Sequence, residues 1–227
     1  MHIPPPLKFR KSRQRPGGIN NPSSGCLSMK VLKFGGSSVA SPENIIKIKN
    51  ILLAYEGPII VVVSAFGGVT DQLLQAGELA AKEQTGYKDI LSEIETRHLD
   101  TVKELIPITA QSKVLSKVKS ELNILETLLE GAYFIGEITP KLSDKIVSFG
   151  ELLSSYIISE YLASEGLDAV YKDSRELIRT FKLAGKNVVD FTLTDANCQE
   201  YFKNNTASIT VCPGFIATSK DNDITTL

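Results

Sequence analysis

The chain has 227 residues, of which 42% are hydrophobic and 22% charged, the balance of a globular protein that buries a core. Its formal net charge is −1, so the overall charge favours neither a nucleic acid nor an anionic membrane as a partner. No apolar run approaches the ~20 residues that a membrane-spanning helix needs. The mildly acidic part of the chain after residue 28 suits a cytoplasmic protein, which is the location we expect.

The first segment, residues 1–28, is rich in proline, glycine and serine and carries five basic residues but no acidic one. We expect it to be a disordered basic extension that precedes the domain beginning at Met29. A nucleic-acid-binding arm and an organelle transit peptide are the alternatives. The prolines disfavour the second of these, because they interrupt any amphipathic helix.

From Met29 onward, strands alternate with helices. A β-rich run over residues 29–34 ends at two glycines, and Ser41 followed by Pro42 is a good start for a helix. The apolar run at residues 59–63 predicts a strand buried on both faces. Two long helical stretches follow, over residues 88–136 with a break at Pro107, and over residues 142–162.

Further strands are predicted at residues 170–171 and 209–212, and a hairpin pairs residues 215–218 with 224–227. This alternation indicates an α/β fold with a largely parallel sheet and helices on both faces. Residues 29–227 then form one domain.

Two predicted strands end in glycine turns that open into helices. The first turn follows Lys33, and the second follows Ser64. Glycines let backbone N–H groups approach an anion, and the helix that follows adds partial positive charge, so the pair favours a phosphate ligand. Neither turn has the spacing of a Walker A loop, and a tight strand-to-helix turn without a ligand is the alternative for each.

Glu151 lies among apolar residues on a predicted helix, where its carboxylate needs a partner such as a substrate ammonium. The alternative is a solvated glutamate on the helix surface. The segment from Asp173 to Arg175 either reaches the same cleft or forms a turn. His98 is predicted to be solvated, and Cys198 and Cys212 to pack in the core.

Four segments of the chain closely resemble the motifs of aspartate kinases and occur in the same order as in that family. The long helical stretch that contains Arg97 and His98 looks most like the bifunctional enzymes that fuse aspartate kinase to homoserine dehydrogenase. The matching segments are residues 33–40 (KFGGSSVA), 63–70 (VSAFGGVT), 148–151 (SFGE) and 211–217 (VCPGFIA) with 225–227 (TTL).

This resemblance implies an incomplete catalytic domain with the three-layer α/β/α sandwich of the amino-acid-kinase (carbamate-kinase-like) fold. It implies a reaction in which ATP phosphorylates the side-chain carboxylate of L-aspartate, the first step towards lysine, threonine and methionine. Mg²⁺ would bridge the phosphates, and no residue of this chain is expected as a metal ligand. The implied roles are ATP binding (Lys33, Gly35, Gly36, Ser37 and Ser64, the last lying between the two ligands), aspartate binding (Thr70, Glu151) and stabilisation of the transferred group (Lys33).

The resemblance also implies a Gly-Arg-Gly-Gly-Ser-Asp segment after Leu227 that supplies further aspartate ligands. We therefore expect the 227-residue chain alone to have little kinase activity, and the full-length enzyme to be a homo-oligomer. Two alternatives remain open at this stage. One is a kinase for another amino acid, such as glutamate, and the other is a non-catalytic ligand-binding or assembly module.

Overall fold

The computed structural model of the protein describes residues 28–227. The disordered extension predicted for residues 1–28 therefore lies, apart from Ser28, outside the described residues, as does Cys26. Within the described range no helix combines the length and the apolar character that crossing a membrane requires.

Eight strands and seven α-helices make up the described chain. The strands are β1 (Lys30–Phe34), β2 (Ile59–Val63), β3 (Ala169–Tyr171), β4 (Arg179–Leu183), β5 (Lys186–Val189), β6 (Ile209–Pro213), β7 (Ile216–Ser219) and β8 (Ile224–Thr226). The helices are α1 (Pro42–Leu52), α2 (Val69–Ala81), α3 (Tyr87–Leu105), α4 (Ile108–Ile135), α5 (Pro140–Ser164), α6 (Ser174–Leu177) and α7 (Phe191–Asn204).

The main sheet is entirely parallel and has the strand order β1-β2-β6-β3. Strand β6 lies at its centre with all five residues buried, and it pairs with β2 from Ile59 opposite Ile209 to Val63 opposite Pro213. Because all four strands run in the same direction, the turns that follow them meet at one edge of the sheet. The α/β class and the parallel sheet predicted from the alternation are confirmed.

A second, smaller sheet has the order β5-β4-β7-β8 and contains two antiparallel hairpins joined by the parallel pair β4 and β7. The predicted hairpin near the end of the chain is present as β7 and β8. The hairpin of β4 and β5 and the helix α7 have no counterpart among the predictions.

The long helices pack mainly on one another and on the main sheet. Helix α5 contacts β2, β3 and β6, and α2 and α4 pack against α5. The break predicted at Pro107 is present, since α3 ends at Leu105 and α4 begins at Ile108. Helix α1 begins where predicted, because the Ser41 hydroxyl accepts the backbone N–H of Asn44 and Pro42 occupies the first turn.

The prediction for His98 is wrong, since this side chain is fully buried in the structure. The inward face of α3 carries Leu91, Ile94, Thr101 and Val102, and His98 falls on that face at the spacing of three to four residues. Its polar sequence neighbours concealed this register. Cys212 is buried as predicted, whereas Cys198 is only half-buried.

Candidate functional site

The two glycine turns lie side by side at the carboxyl edge of the main sheet. Strands β1 and β2 are parallel neighbours whose last residues, Phe34 and Val63, stand opposite each other. The turns then approach so closely that a Cβ atom on Gly67 would come within 3.2 Å of the Gly36 carbonyl oxygen. A larger residue there would require the neighbouring turn to shift by a few tenths of an ångström, so the close packing of the turns favours glycine.

Between the turns and α5 lies a cleft of about 310 Å³. It brings together five of the seven residues that the resemblance implicates, from β1, both turns, α2 and α5. These five are Lys33, Gly36, Ser64, Thr70 and Glu151.

The other two implicated residues, Gly35 and Ser37, do not line this cleft. Ser37 is exposed and lines an adjoining groove with Lys47 on α1, while its carbonyl oxygen accepts a hydrogen bond from the Asn44 side chain at 3.1 Å. The Gly35 carbonyl accepts the backbone N–H of Ser38 at 2.8 Å and so closes the short 3-10 turn at Gly36–Val39. Both residues shape the first turn from outside the cleft.

Glu151 is the buried carboxylate of the site, with only 3% of its surface exposed. Its Oε1 atom accepts the backbone N–H of Ala65, in the second turn, at 3.3 Å. Its Oε2 atom has no partner among the described residues. Burial raises the pKa of this carboxyl from its usual 4.5 to about 7, and the Ala65 hydrogen bond opposes the shift. An unpartnered buried oxygen of this kind is suited to a cationic ligand.

Lys33, by contrast, is exposed at the mouth of the cleft and makes no ion pair within the described chain. Its ammonium is therefore free to meet an anion. Next to it, the turn at Gly36 and the turn at Gly67 expose backbone along the cleft wall. The cleft is thus lined by both an exposed ammonium and a buried carboxylate.

A metal site built from protein ligands has no basis in the described residues, since no group of three His, Cys, Asp or Glu side chains gathers there. Glu151 is the one carboxylate that lines the cleft. Mg²⁺ commonly binds through substrate phosphates and retained waters rather than through an all-protein cage. A cation that entered with a phosphate ligand would need no further protein carboxylate here.

Phe215 also lines the cleft, although the sequence did not single it out. Its backbone is left-handed, with φ of 62°, which is uncommon for a residue other than glycine. The conformation is held from both sides, because Gly214 donates to the Val63 carbonyl at 2.8 Å and the Phe215 carbonyl accepts from Leu227 at 2.9 Å. This conformation depends on tertiary contacts, so the local sequence does not predict it.

The segment from Asp173 to Arg175 does not reach this cleft. Arg175 pairs with Asp173 through a forked contact, with Nη2 2.6 Å from Oδ2, and the two side chains line a separate cavity with Tyr156 and Tyr171. The alternative that this segment forms a local turn is the one the structure supports, since Asp173 caps the short helix α6.

Gly150, the neighbour of Glu151, offers a test of how tightly α5 holds the second turn. A Cβ atom at Gly150 would lie 2.8 Å from the Cβ of Ala65 and 3.3 Å from Leu73. We expect Gly150→Ala to lower the free energy of unfolding by about 1–2 kcal/mol, because overpacking outweighs the gain in helix propensity. Denaturant unfolding measures this change.

A matched control is Gly131→Ala in α4, where a Cβ atom would meet nothing within 4 Å. There the same exchange should raise the free energy of unfolding by about 0.5–1 kcal/mol. Equal effects at the two glycines would contradict the close packing of α5 against the turn.

A parallel sheet whose carboxyl edge carries paired glycine turns, an exposed lysine and a buried carboxylate places the chain among the α/β proteins that bind ligands at that edge. Comparison with known proteins places the chain further: the profile of the amino acid kinase family matches residues 28–226, and the chain belongs to that family.

The relatives that it resembles are aspartokinases of two kinds. A bifunctional aspartokinase/homoserine dehydrogenase 2 of Zea mays is 30% identical over 200 residues, covering 87% of this chain and 22% of the relative. Aspartokinase 1 of Arabidopsis thaliana is 39% identical over 152 residues, covering 65% of this chain and 26% of the relative. The predicted resemblance to aspartate kinases, including the bifunctional type, is confirmed.

Among solved structures, aspartokinase III of E. coli superimposes with a TM-score of 0.77 at 26% identity. It was solved with lysine and aspartate and also with aspartate and ADP. The match covers 88% of this chain and 43% of that one. This chain spans about a fifth to a quarter of the length of its curated relatives.

Proposed function

We propose that this chain provides the ATP-phosphate and aspartate contacts of an aspartate kinase, which transfers the γ-phosphate of ATP to the side-chain carboxylate of L-aspartate and forms 4-phospho-L-aspartate. The observation that carries the proposal is the cleft that joins the free Lys33 to the unpartnered Oε2 of Glu151. The family and the aspartokinase relatives support it. The product would enter the synthesis of lysine, threonine and methionine.

On the phosphate side, Lys33 and the backbone at Gly36 would meet the transferred phosphoryl group. Charge spreads over its oxygens in the transition state, and a lysine aimed at them stabilises that state more than the ground state. Bound with the nucleotide, Mg²⁺ would neutralise further charge on the phosphates. Gly35 and Ser37 would act by holding the first turn in shape.

On the acceptor side, Glu151 would bind the ammonium of aspartate, with Thr70 beside it and Ser64 between the two ligands. The ligand's ammonium would supply the partner that Oε2 lacks. An ionised aspartate side chain is already a nucleophile, so the site needs no general base. Placing the carboxylate in line with the phosphoryl group is then the main contribution of these residues.

Calorimetric titration of the 227-residue chain tests the proposal, with L-aspartate and L-glutamate as ligands, each in the presence and absence of MgADP. We expect aspartate to bind at least tenfold more tightly than glutamate, since one extra methylene in a fitted site costs about 10–200-fold. Equal affinity for glutamate would favour a kinase for another amino acid. No heat with either acid or with MgADP would overturn the proposal.

The cytoplasmic location and the homo-oligomeric full-length enzyme stay predictions. The curated relatives are chloroplastic enzymes, so imaging of a fluorescent fusion is the measurement that decides the first. Light scattering of the full-length protein decides the second.

A further inference from the structure

Arg97, on helix α3, joins the two glycine turns from outside the cleft. Its Nη1 donates to the Gly67 carbonyl at 2.6 Å, and its Nη2 donates to the Ala40 carbonyl at 2.9 Å. Gly67 belongs to the second turn, and Ala40 follows the first turn directly. One planar guanidinium therefore ties together two segments that reach the site from different strands.

The contact suits an arginine better than a lysine. Two carbonyl oxygens on separate segments need two donors held at a fixed spacing, which the guanidinium fork supplies and a lysine ammonium does not. The guanidinium also lies 5.9 Å from the ring of Phe66, the residue before Gly67. Removing the fork would leave two carbonyls without donors and allow the turns to separate.

Arg97 also carries a charge that no carboxylate neutralises within the described residues. Its guanidinium is half-buried, and burial lowers its pKa without removing the charge. The Gly67 carbonyl belongs to the second turn, and the Ala40 carbonyl directly follows the first turn, where the backbone at Gly36 is proposed to meet phosphate. Its positive charge thus lies beside the segment that is to hold an anion.

The neighbouring residue strengthens the same attachment. His98 is fully buried and stacks on Phe66 with ring centroids 4.9 Å apart and an interplanar angle of 22°. Its Nδ1 donates a hydrogen bond to the Ile94 carbonyl oxygen at 2.6 Å, and this bond fixes the orientation of the ring. Phe66 follows Ala65, whose N–H binds Glu151. Helix α3 is therefore connected to both turns and, through Ala65, to the buried carboxylate.

We propose that Arg97 is a positioning residue that sets the spacing of the two ligand-binding turns, so that the phosphate ligand and aspartate bind in a mutually compatible arrangement. This inference rests on the proposed function. Arg97 does not line the cleft, so it would act through the carbonyls of Gly67 and Ala40.

The test compares Arg97→Ala and Arg97→Lys with wild type by calorimetric titration of L-aspartate and of MgADP, each alone and with the other present. We expect Arg97→Ala to weaken each ligand about tenfold and to remove any enhancement of one by the other. Arg97→Lys, which keeps the charge and the bulk, should recover less than half of the lost affinity, because it lacks the fork. Lys103→Ala, an exposed cation on the same helix, is the matched control and should leave both affinities unchanged.

Chemical rescue separates positioning from folding. Methylguanidinium at millimolar concentration should restore ligand affinity to Arg97→Ala, whereas methylammonium should not. If Arg97→Ala binds both ligands as tightly as wild type and differs only in a lower unfolding midpoint, Arg97 merely stabilises the fold, and the inference is overturned. If Arg97→Ala does not fold, unchanged affinities in Arg97→Lys would overturn it. Failure of the wild-type chain to bind either ligand would instead overturn the proposed function, and with it this inference.

Discussion

Glu151→Gln should make the ligand-free protein more stable at pH 8 and at the same time abolish its affinity for aspartate. The folded protein holds a proton on Glu151 up to about pH 7, whereas the unfolded chain releases it near 4.5. The free energy of unfolding of wild type therefore falls as pH rises from about 4.5 to 7, by roughly 3 kcal/mol in total. Glutamine has no such dependence.

The glutamine also destabilises the folded protein, because its NH₂ group would occupy the position of Oε2, which has no hydrogen-bond partner. Leaving that group without an acceptor costs about 1–3 kcal/mol, so the net gain at pH 8 should be up to about 2 kcal/mol. Urea unfolding at pH 5, 6, 7 and 8 measures it. The two proteins should differ most at pH 8 and converge or reverse towards pH 5.

Binding should respond in the opposite direction. Loss of the carboxylate should weaken aspartate at least 100-fold in calorimetry, because the ammonium would lose a charged partner in a desolvated site. In wild type, the affinity for aspartate should fall by up to about tenfold for each pH unit below 7, because binding needs the ionised carboxylate. A matched control is Glu160→Gln, on the same helix, whose carboxylate meets the exposed Lys113. Undiminished aspartate affinity in Glu151→Gln would remove the acceptor site from the proposal.

Lys33→Met should weaken MgADP about 10–100-fold while barely changing the free energy of unfolding. A charge-assisted contact to phosphate is worth about 1.5–3 kcal/mol, and the exposed Lys33 has no ion pair in the described chain that its loss would break. Calorimetric titration of MgADP measures the first effect, and denaturant unfolding measures the second.

Lys30→Met provides the control for net charge, because Lys30 lies at the other end of the same strand and its ammonium stands 4.7 Å from the ring of Tyr55. Both variants lose one positive charge, so a non-specific electrostatic effect would weaken MgADP equally in the two. Equal weakening, or none in Lys33→Met, would argue against a phosphate contact at Lys33.

Local signals were enough to predict the parts of the fold that local chemistry determines. The strand before Gly35, the helix start at Pro42 and the break at Pro107 each follow from a residue with a strong conformational preference, and each is present. The neighbouring turns and the buried Glu151 were predictable too, because parallel strands end at a common edge and an apolar helix face buries whatever it carries.

The remainder depends on contacts between distant segments. His98 lies on the inward face of α3, but its polar sequence neighbours hide that register, and the ring that it stacks on, Phe66, comes from the distant second turn. The role of Arg97 is invisible until two carbonyls from different segments are seen to converge on it. The hairpin of β4 and β5 lacks a strong turn dipeptide: its turn places Ala184 at a φ of 49°, an angle that the residue type does not suggest.

The central place of β6 has a consequence for how the molecule forms. Its partner β2 is complete 150 residues earlier in the chain, since Ile59 pairs with Ile209. At a synthesis rate of about 5–20 residues per second, β6 is made on the order of 8–30 s after β2. The four long helices emerge in this interval, so they have time to associate first. We expect closure of the sheet, and with it of the cleft, to be a late event in folding, because β6 is the last strand of the main sheet to be synthesised.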